Sequence, residues 1–358
     1  MVQTHDGMNY APQGKPRPVV EAGEFEFAAV SLEHGHIYGM CNGLLEAGGT
    51  LKWVYDPDPK KVEQFVQRYP QVRVARSEAE ILDDPNVRLV AGAAIPNERC
   101  ALGLRVMASG KDYFTDKTPF TTLEQVEAAR EAAKQTGMKY MVYYSERLHV
   151  ESAVFAGQLI REGAIGRVVQ VLGTGPHRLN ASSRPAWFFK KEQFGGILND
   201  IGSHQIEQFL FFAGCKDARV VSSKVANYNH KEYPEFEDFG DATLIGDNGA
   251  TNYFRVDWFT PNGLRTWGDG RTFILGTEGY MELRKYIDVA RELDGDQLFL
   301  VNGEGEKHFR LKGRVGFPFF GELILDCLHR TEHAMTQEHA FKAGELCVRA
   351  QLAAERVE

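Results

Sequence analysis

The chain has 358 residues, 43% hydrophobic and 25% charged, and its 41 basic and 49 acidic residues give a formal net charge of −8. This composition is typical of a globular protein of about two domains, and the acidic balance without any basic block makes nucleic acid and anionic membranes poor partners. No apolar run approaches the ~18 residues of a membrane span, no secretory leader is visible, and five isolated cysteines without a C-x-x-C pair predict reduced thiols and a cytoplasmic location.

The N-terminal segment and the stretch after it differ in pattern. Residues 1–23 hold Gly, Pro, Gln and Asn with little periodicity, which predicts a flexible arm. From Phe25, F-E-F-A-A-V-S-L predicts a buried parallel strand, and the turn E-H-G-H-I-Y-G-M leads into the amphipathic stretch C-N-G-L-L-E-A-G-G. Strand, glycine turn and helix together begin a dinucleotide-binding unit, in which the helix N-terminus receives the pyrophosphate.

The glycine fingerprint of this unit is incomplete. When G-x-G-x-x-G is aligned with the turn, only the middle glycine, Gly35, is present, because Glu33 and Tyr38 stand at the outer positions. The next strand, L-K-W-V-Y-D, ends at Asp56, about 20 residues after Gly35, which is the offset of the acid that binds the adenosine ribose. A carboxylate there favours NAD because it repels a 2′-phosphate, while the lysine pair at positions 60 and 61 keeps NADP possible.

Alternating strands and helices continue to about residue 145. The strands V-R-L-V-A-G-A-A-I, D-Y-F-T and K-Y-M-V-Y-Y are separated by helical segments, one of which begins with a capping box at Thr122 and Gln125. This alternation predicts a doubly wound, mostly parallel α/β sheet of the Rossmann type over residues 24–145. Ligands of such sheets bind beyond the carboxyl ends of the strands, where the following residues fall: Gly35, Asp56, Pro96, Asn97 and Lys117.

The second half of the chain changes rhythm. Long strands from A-R-V-V-S-S-K-V-A-N-Y to Q-L-F-L-V-N follow one another with turn signals such as D-N-G and P-N-G between them and no intervening helices. They predict an α+β domain over residues 146–330 with a large, open, mostly antiparallel sheet for substrate binding and oligomerisation. The last helical segment, within residues 331–358, is expected to pack back on the Rossmann domain.

The stretch G-G-I-L-N-D-I-G-S-H, residues 195–204, has the strongest chemical pattern. Asp200 and His204 are four residues apart, so a helix would place both on one face. A carboxylate beside an imidazole suits proton transfer near neutral pH, although a capping aspartate followed by a buried histidine is an alternative. A loop with His177, Arg178, Arg184 and Trp187 precedes this stretch; it suits a sugar or polyol, but an ordinary surface loop is equally consistent with it.

Several motifs in this order resemble one family. I-P-N follows a strand, D-K-T-P follows the next, and G-G-x-x-x-D-x-G-x-H and then G-T-E-G at residues 276–279 complete the series. The chain resembles the glucose-fructose oxidoreductase / inositol dehydrogenase (Gfo/Idh/MocA) family over about residues 25–355. The resemblance implies a Rossmann domain, an open antiparallel C-terminal sheet, and a homo-oligomer, a dimer or tetramer, formed through that sheet.

The resemblance also implies an activity and site residues. The activity is hydride transfer between NAD, or NADP, and a hydroxyl carbon of a sugar, sugar derivative or cyclic polyol, with His204 as acid/base, Lys117 polarising the reacting oxygen and Asp200 orienting its partner. The predicted cofactor contacts are Gly35, His36, Ile37, Asp56, Ile95, Pro96, Asn97, Asp116 and Lys117. The predicted substrate contacts are Arg147, His177, Arg184, Trp187, Asp200 and His204. No metal is predicted; a site made by His177, Asp200 and His204 is a weaker alternative without a clear fourth ligand.

Departures from the family pattern leave two rival functions open. Asp116 replaces a glutamate, Thr118 stands where the motif has proline, and Y-Y-S-E-R-L at residues 143–148 replaces an asparagine- and arginine-rich segment, in which Arg147 still matches a basic position. One rival is a glycoside hydrolase or lyase that oxidises and re-reduces its substrate with retained NAD. The other is a regulator that binds NAD(P) without turnover, suggested by the incomplete glycine fingerprint.

Overall fold

The computed structural model of the protein describes residues 7–357. Its contacts divide the chain into two compact units. The parallel-sheet unit consists of Met8–Tyr143 and Pro318–Phe341, and the described part of the mixed-sheet unit consists of residues 7, 144–317 and 342–357. None of the helices in this described part of the chain is long and apolar enough to cross a membrane.

The parallel-sheet unit has the predicted Rossmann architecture. Its six strands are all parallel and lie in the order β3-β2-β1-β4-β5-β6, the doubly wound order of dinucleotide-binding domains. The central strands are buried almost throughout, which explains why they are continuous apolar runs. The elements are β1 (Glu26–Leu32), α1 (His36–Glu46), β2 (Thr50–Tyr55), α2 (Pro59–Arg68), β3 (Arg73–Val74), α3 (Glu78–Leu82), β4 (Val87–Ala93), α4 (Pro96–Ala108), β5 (Asp112–Asp116), α5 (Leu123–Thr136) and β6 (Tyr140–Tyr143).

The mixed-sheet unit contains nine strands, mostly antiparallel as predicted. Their order is β14-β13-β12-β11-β7-β10-β9-β8-β15, and only the β7–β10 and β8–β15 pairs are parallel. Burial alternates along β9, so this sheet has one covered and one exposed face. The elements are α6 (Ser145–Leu148), α7 (Glu151–Arg161), β7 (Val168–Pro176), α8 (Lys191–Phe194), α9 (Ile197–Asp200), α10 (Gly202–Ala213), β8 (Ala218–Ala226), β9 (Phe239–Gly246), β10 (Thr251–Asp257), β11 (Arg271–Gly276), β12 (Gly279–Arg284), β13 (Gln297–Asn302), β14 (Gly305–Arg310), α11 (Pro318–His329), α12 (Gln337–Leu352) and β15 (Glu355–Val357).

The C-terminal segment was expected to pack on the Rossmann domain over residues 331–358, but the structure divides it between the two units. Helix α11 and the first residues of α12 belong to the parallel-sheet unit, where the Phe341 ring lies 6.2 Å from that of Phe120. The rest of α12 belongs to the mixed-sheet unit, where Gln351 donates to Glu237 and β15 pairs with β8. The physical reason is that the two ends of one helix bury different side chains against different sheets.

The N-terminal segment is not a free arm over the part that the structure describes. Residues 8–19 follow helix α1: Asn42 donates to the backbone of Pro12 at 3.3 Å, and the N–H groups of Arg17 and Val19 bond to carbonyls at the C-terminal end of the helix. A side chain at Gly35 would collide with the backbone of Met8. A proline-rich segment without its own hydrogen-bonding pattern therefore obtains partners from the adjacent helix. The first six residues of the predicted arm lie outside the described residues.

Candidate functional site

Charged side chains converge in the parallel-sheet unit at the carboxyl ends of β1 and β5. Asp116, the last residue of β5, has its Oδ1 2.9 Å from His36 Nδ1 and its Oδ2 3.1 Å from His34 Nδ1. Arg99 on α4 donates to the same Oδ2 at 3.2 Å, and all four residues are buried. The sequence predicted His36 and Asp116 at this site but missed His34 and Arg99. His34 stands at a variable position of the glycine turn, and Arg99 belongs to no local motif.

Burial and charge act in opposite directions on the central carboxylate. Burial alone would raise the pKa of the Asp116 carboxyl, but His36, Arg99 and His34 together hold it well below its usual value. Burial, reinforced by His36, holds the pKa of His34 well below its ordinary value in spite of Asp116. At neutral pH the cluster therefore contains an ionised Asp116 and a neutral His34.

Three of these side chains have the chemistry of metal ligands. Among residues 7–357, His34, His36 and Asp116 form the one such group, with ligand atoms within 4.8 Å of one another, so the alternative set His177, Asp200 and His204 is not among the groups found there. The guanidinium of Arg99 lies on the same carboxylate and opposes a divalent cation. We therefore interpret the cluster as a hydrogen-bonded ion network that fixes the turn before α1.

The predicted nucleotide contacts border this network. Gly35 is the N-cap of α1 and is followed by His36 and Ile37, so these three predicted cofactor residues form the N-terminus of that helix. The His36 N–H lies 3.3 Å from His34 Nδ1, and the Ile37 N–H bonds to the His34 carbonyl at 3.2 Å. Asp56 follows β2, is buried, and accepts the Leu32 N–H at 2.6 Å, which ties the ends of β1 and β2 together. Lys61, one of the two lysines that kept NADP possible, is paired with Glu33.

The remaining predicted cofactor residues lie after β4 and β5. Ile95 is the N-cap of α4, and Pro96 and Asn97 begin that helix. The Oδ1 atom of Asn97 is buried and has no hydrogen-bond partner among residues 7–357, which leaves an acceptor available to a bound ligand. Lys117 directly follows β5 and is 5% exposed. The residues present in this unit therefore fit a dinucleotide.

In the mixed-sheet unit, Asp200 and His204 lie on one helical face. The chain enters α9 through Gly195 and Gly196, whose φ angles of 88° and 93° explain the need for two glycines. Asp200 ends α9, and Ile201 keeps helical angles (φ −75°, ψ −35°), so the four-residue spacing to His204 in α10 is one helical turn. Both side chains are buried, at 7% and 1% exposure.

Two predicted substrate-binding arginines are held by their own unit. Arg147 is paired with buried Glu207 at 2.6 Å and lies over the Phe211 ring at 4.0 Å. Arg184 donates to a backbone carbonyl at 2.9 Å and stacks over the Phe188 ring at 4.7 Å. Both guanidinium groups therefore support the packing of the segments that carry them, helix α6 for Arg147 and a loop for Arg184. Trp187 is buried next to Phe188, and its Nε1 has no hydrogen-bond partner among the described residues.

His177 lies beside a buried ion pair that the sequence did not predict. Its ring packs 4.5 Å from that of Trp267, and its Nε2 is 3.8 Å from Oε1 of Glu146. Lys285 donates to the other oxygen of Glu146 at 2.9 Å, and both members of this pair are buried. The sequence contained one signal for this pair: Glu146 is an acid within the segment that departs from the family's asparagine- and arginine-rich pattern.

Comparison with known proteins assigns the family. A model described as the oxidoreductase family with an NAD-binding Rossmann fold matches residues 28–144, and the GFO/IDH/MocA C-terminal domain matches residues 154–282. The chain belongs to the Gfo/Idh/MocA family. This confirms the family that the motifs indicated and identifies the parallel-sheet unit as an NAD-binding Rossmann domain.

Relatives extend the comparison. The chain is similar to a protein of Erwinia carotovora atroseptica SCRI1043 described as an oxidoreductase, with 52% identity, a TM-score of 0.90 and coverage of 93% of this chain and 100% of that one. It is 26% identical to D-xylose dehydrogenase of Paenarthrobacter nicotinovorans, over 57% of this chain and 52% of that enzyme. It is 26% identical to scyllo-inositol 2-dehydrogenase (NAD(+)) of Bacillus subtilis strain 168, over 65% of each. The match thus spans between half and two thirds of the length of these two dehydrogenases.

Proposed function

We propose that this Gfo/Idh/MocA family member is an NAD(P)-dependent dehydrogenase that acts on a hydroxyl carbon of a sugar, sugar derivative or cyclic polyol. One observation carries the proposal: a family chain with an NAD-binding Rossmann domain presents a buried carboxylate and imidazole, Asp200 and His204, on one helical face. A carboxylate one helical turn from an imidazole is suited to proton transfer at neutral pH.

Each residue has a defined task in this reaction. When bound, the coenzyme supplies the hydride acceptor. His204 takes the proton of the substrate hydroxyl. The bound coenzyme would accept the hydride of the carbon that bears this hydroxyl, which would leave a carbonyl, the reduced coenzyme and one proton. Lys117 polarises the reacting oxygen by its positive charge, and Asp200 orients the imidazole or a neighbouring hydroxyl.

The nucleotide side favours NAD. Asp56 is buried with its carboxylate fixed by backbone N–H groups, and a carboxylate in this position repels a 2′-phosphate. Lys61, which could attract that phosphate, is engaged by Glu33. We therefore expect a higher kcat/KM with NAD than with NADP.

The substrate class follows from the relatives together with the site. The similar dehydrogenases are named for D-xylose and scyllo-inositol, one an aldose and the other a cyclic polyol. Both compounds carry several neighbouring hydroxyl groups, for which buried imidazoles, carboxylates and a tryptophan N–H are suitable hydrogen-bond partners.

The experiment follows absorbance at the reduced-nicotinamide band while the purified protein is mixed with NAD or NADP and a panel of aldoses and inositols. Continuing NADH formation with one substrate supports the dehydrogenase. Glycoside cleavage without net NADH would replace it with the hydrolase or lyase, and coenzyme binding without any turnover would replace it with the regulator.

We also propose that a second copy of the chain covers the exposed face of the nine-stranded sheet. Five large apolar side chains on adjacent strands of that face are 36–50% exposed: Leu172, Tyr253, Phe273, Leu275 and Tyr280. An apolar patch of this kind marks an interaction surface. Leu275→Glu should shift the sedimentation coefficient to that of a monomer, and Leu293→Glu, at an exposed leucine outside the sheet, should not. A monomeric unmodified protein would refute this assembly.

The five cysteines are consistent with work in the cytoplasm. All five are buried free thiols in the structure. Because a reducing compartment maintains free thiols, we propose that the protein acts there.

A further inference from the structure

Glu146 is a buried carboxylate whose two oxygens are used unequally. Oε2 accepts from Lys285 Nζ at 2.9 Å and from Gln205 Nε2 at 3.2 Å. Oε1 is buried and has no hydrogen-bond partner among residues 7–357. Leaving a buried carboxylate oxygen without a donor costs free energy, so such an atom requires an explanation.

The group facing that oxygen is an imidazole nitrogen. His177 Nε2 lies 3.8 Å from Oε1, whereas His177 Nδ1 lies 3.2 Å from the backbone carbonyl of Gly175. A carbonyl only accepts, so the proton of the neutral ring is placed on Nδ1, and Nε2 is the atom that gains or loses a proton. When Nε2 is protonated, its N–H faces Oε1 of Glu146, and a small movement completes a charge-assisted hydrogen bond.

Glu146 also lies beside the helix that carries the proposed acid/base, because Gln205, the residue after His204 in α10, donates to Glu146 Oε2. Burial would raise the pKa of the Glu146 carboxyl, but Lys285, His204 and His177 lower it to about 2. Glu146 is therefore ionised throughout the working pH range. By reciprocity, a carboxylate stabilised by two imidazolium groups stabilises the protonated form of each.

Other charged groups in the same unit border the histidines. The first is Asp200, one helical turn before His204. The others form two ion pairs, Glu207 with Arg147 and Asp257 with Arg255.

We propose that Glu146, fixed in place by Lys285, is the buried counter-ion of the His177 and His204 imidazoles, a positioning residue that stabilises the imidazolium formed when a substrate hydroxyl gives up its proton. This inference rests on the role proposed for His204. It assigns the acid of the Y-Y-S-E-R-L segment a task that is exerted through the two histidines.

The two charges of the pair have opposite effects on the histidines, and this provides the test. Glu146→Gln removes the anion and should lower the pKa of both imidazoles by about one pH unit. Lys285→Met removes the cation and should raise the pKa of both imidazoles. The double variant Glu146→Gln with Lys285→Met contains neither charge, folds without a lone buried ion, and should return both values close to those of the unmodified protein.

The first readout needs no turnover. The full-length protein is labelled with ¹³C in its histidine rings and titrated by NMR, with the two signals assigned from His177→Asn and His204→Asn. Opposite shifts in the two single variants support the proposal. Shifts in the same direction, or none, overturn it, because general damage to packing would not follow the sign of the removed charge.

The second readout is the pH profile of kcat/KM with the substrate identified above. The acid limb of this profile should move in the same direction as the imidazole pKa values measured by NMR. In Glu146→Gln, kcat should fall about tenfold with KM nearly unchanged, and Glu146→Asp should recover part of this loss. Glu235→Gln, at an exposed carboxylate of the same unit, should change neither readout. NMR shifts without a matching change in the pH profile would remove Glu146 from the reaction, whereas an inactive unmodified protein would refute the dehydrogenase and leave the NMR test intact.

Discussion

The two units each bury one carboxylate among histidines and a cation, but they complete the arrangement differently. In the parallel-sheet unit both oxygens of Asp116 are engaged, one by His36 and the other by His34 and Arg99. In the mixed-sheet unit Lys285 engages one oxygen of Glu146, while the other has no hydrogen-bond partner among the described residues.

This difference separates two uses of buried charge. A fully satisfied network is rigid and specifies one backbone arrangement, here that of the turn before α1. A network with one unsatisfied acceptor can gain a hydrogen bond when a neighbouring imidazole takes up a proton. The first arrangement fixes a backbone turn, and the second is the one that we propose responds to a proton.

The largest expected effects come from the residues proposed to act on the substrate. His204→Asn and Lys117→Ala should each reduce kcat at least 100-fold, because each removes a proton acceptor or a charge that acts in the transition state. NAD affinity, measured by calorimetry, should change little. His230→Asn, at a histidine of the mixed-sheet unit with no assigned role, serves as the control. A loss of NAD binding with near-normal turnover would show that these roles are wrong.

The next largest effect is expected from the network around Asp116, in which both carboxylate oxygens are engaged. Asp116→Asn leaves Arg99 and two imidazoles without their shared anion, and breaking a buried ion cluster in this way typically costs about 3–5 kcal/mol of unfolding free energy. Urea denaturation should show this loss, together with weaker NAD binding. Glu80→Gln breaks an exposed pair with Arg76 in the same unit and should leave the urea midpoint unchanged. Equal effects of the two substitutions would contradict the distinction drawn above.

The fold could be read from the sequence because its signals are local. Continuous apolar runs identified the buried strands of the parallel sheet, and turn signals between long strands identified the antiparallel region. The β7–β10 pair is parallel and joins strands more than 70 residues apart, so no local signal indicated it. The N-terminal segment lacked periodicity because it uses the hydrogen-bonding groups of α1 rather than its own.

The candidate site could be predicted only in part, because only its local motifs can be recognised in the sequence. Asp200 and His204 form a short motif, and Asp116 with Lys117 forms another. Glu146 and Lys285 are 139 residues apart, and only the fold brings them together. Arg147 and Arg184 stay predicted substrate contacts, and the sequence did not indicate the protein groups that hold each of them in the structure.

The smallest expected effect concerns two buried aspartates, Asp296 and Asp116, whose pKa values are shifted in opposite directions. Burial raises the pKa of Asp296 to about 6, whereas Arg99 and two histidines hold the pKa of Asp116 below its usual value. The folded protein thus binds the Asp296 proton more tightly than the unfolded chain, so this stability contribution is full below pH 3.8 and is lost as the pH rises through 6. Asp116 has a lowered pKa in the folded protein. Its contribution to stability is therefore lost as the pH falls below the pKa that this carboxyl has in the unfolded chain. Between pH 4.5 and 7.5, Asp296→Asn should remove a fall in unfolding free energy of about 2 kcal/mol, measured by urea denaturation. Asparagine tolerates the φ of 54° at this position, and the exposed neighbour Asp294→Asn should retain the unmodified pH dependence; an unchanged pH dependence in Asp296→Asn would show that this carboxyl is ionised without cost.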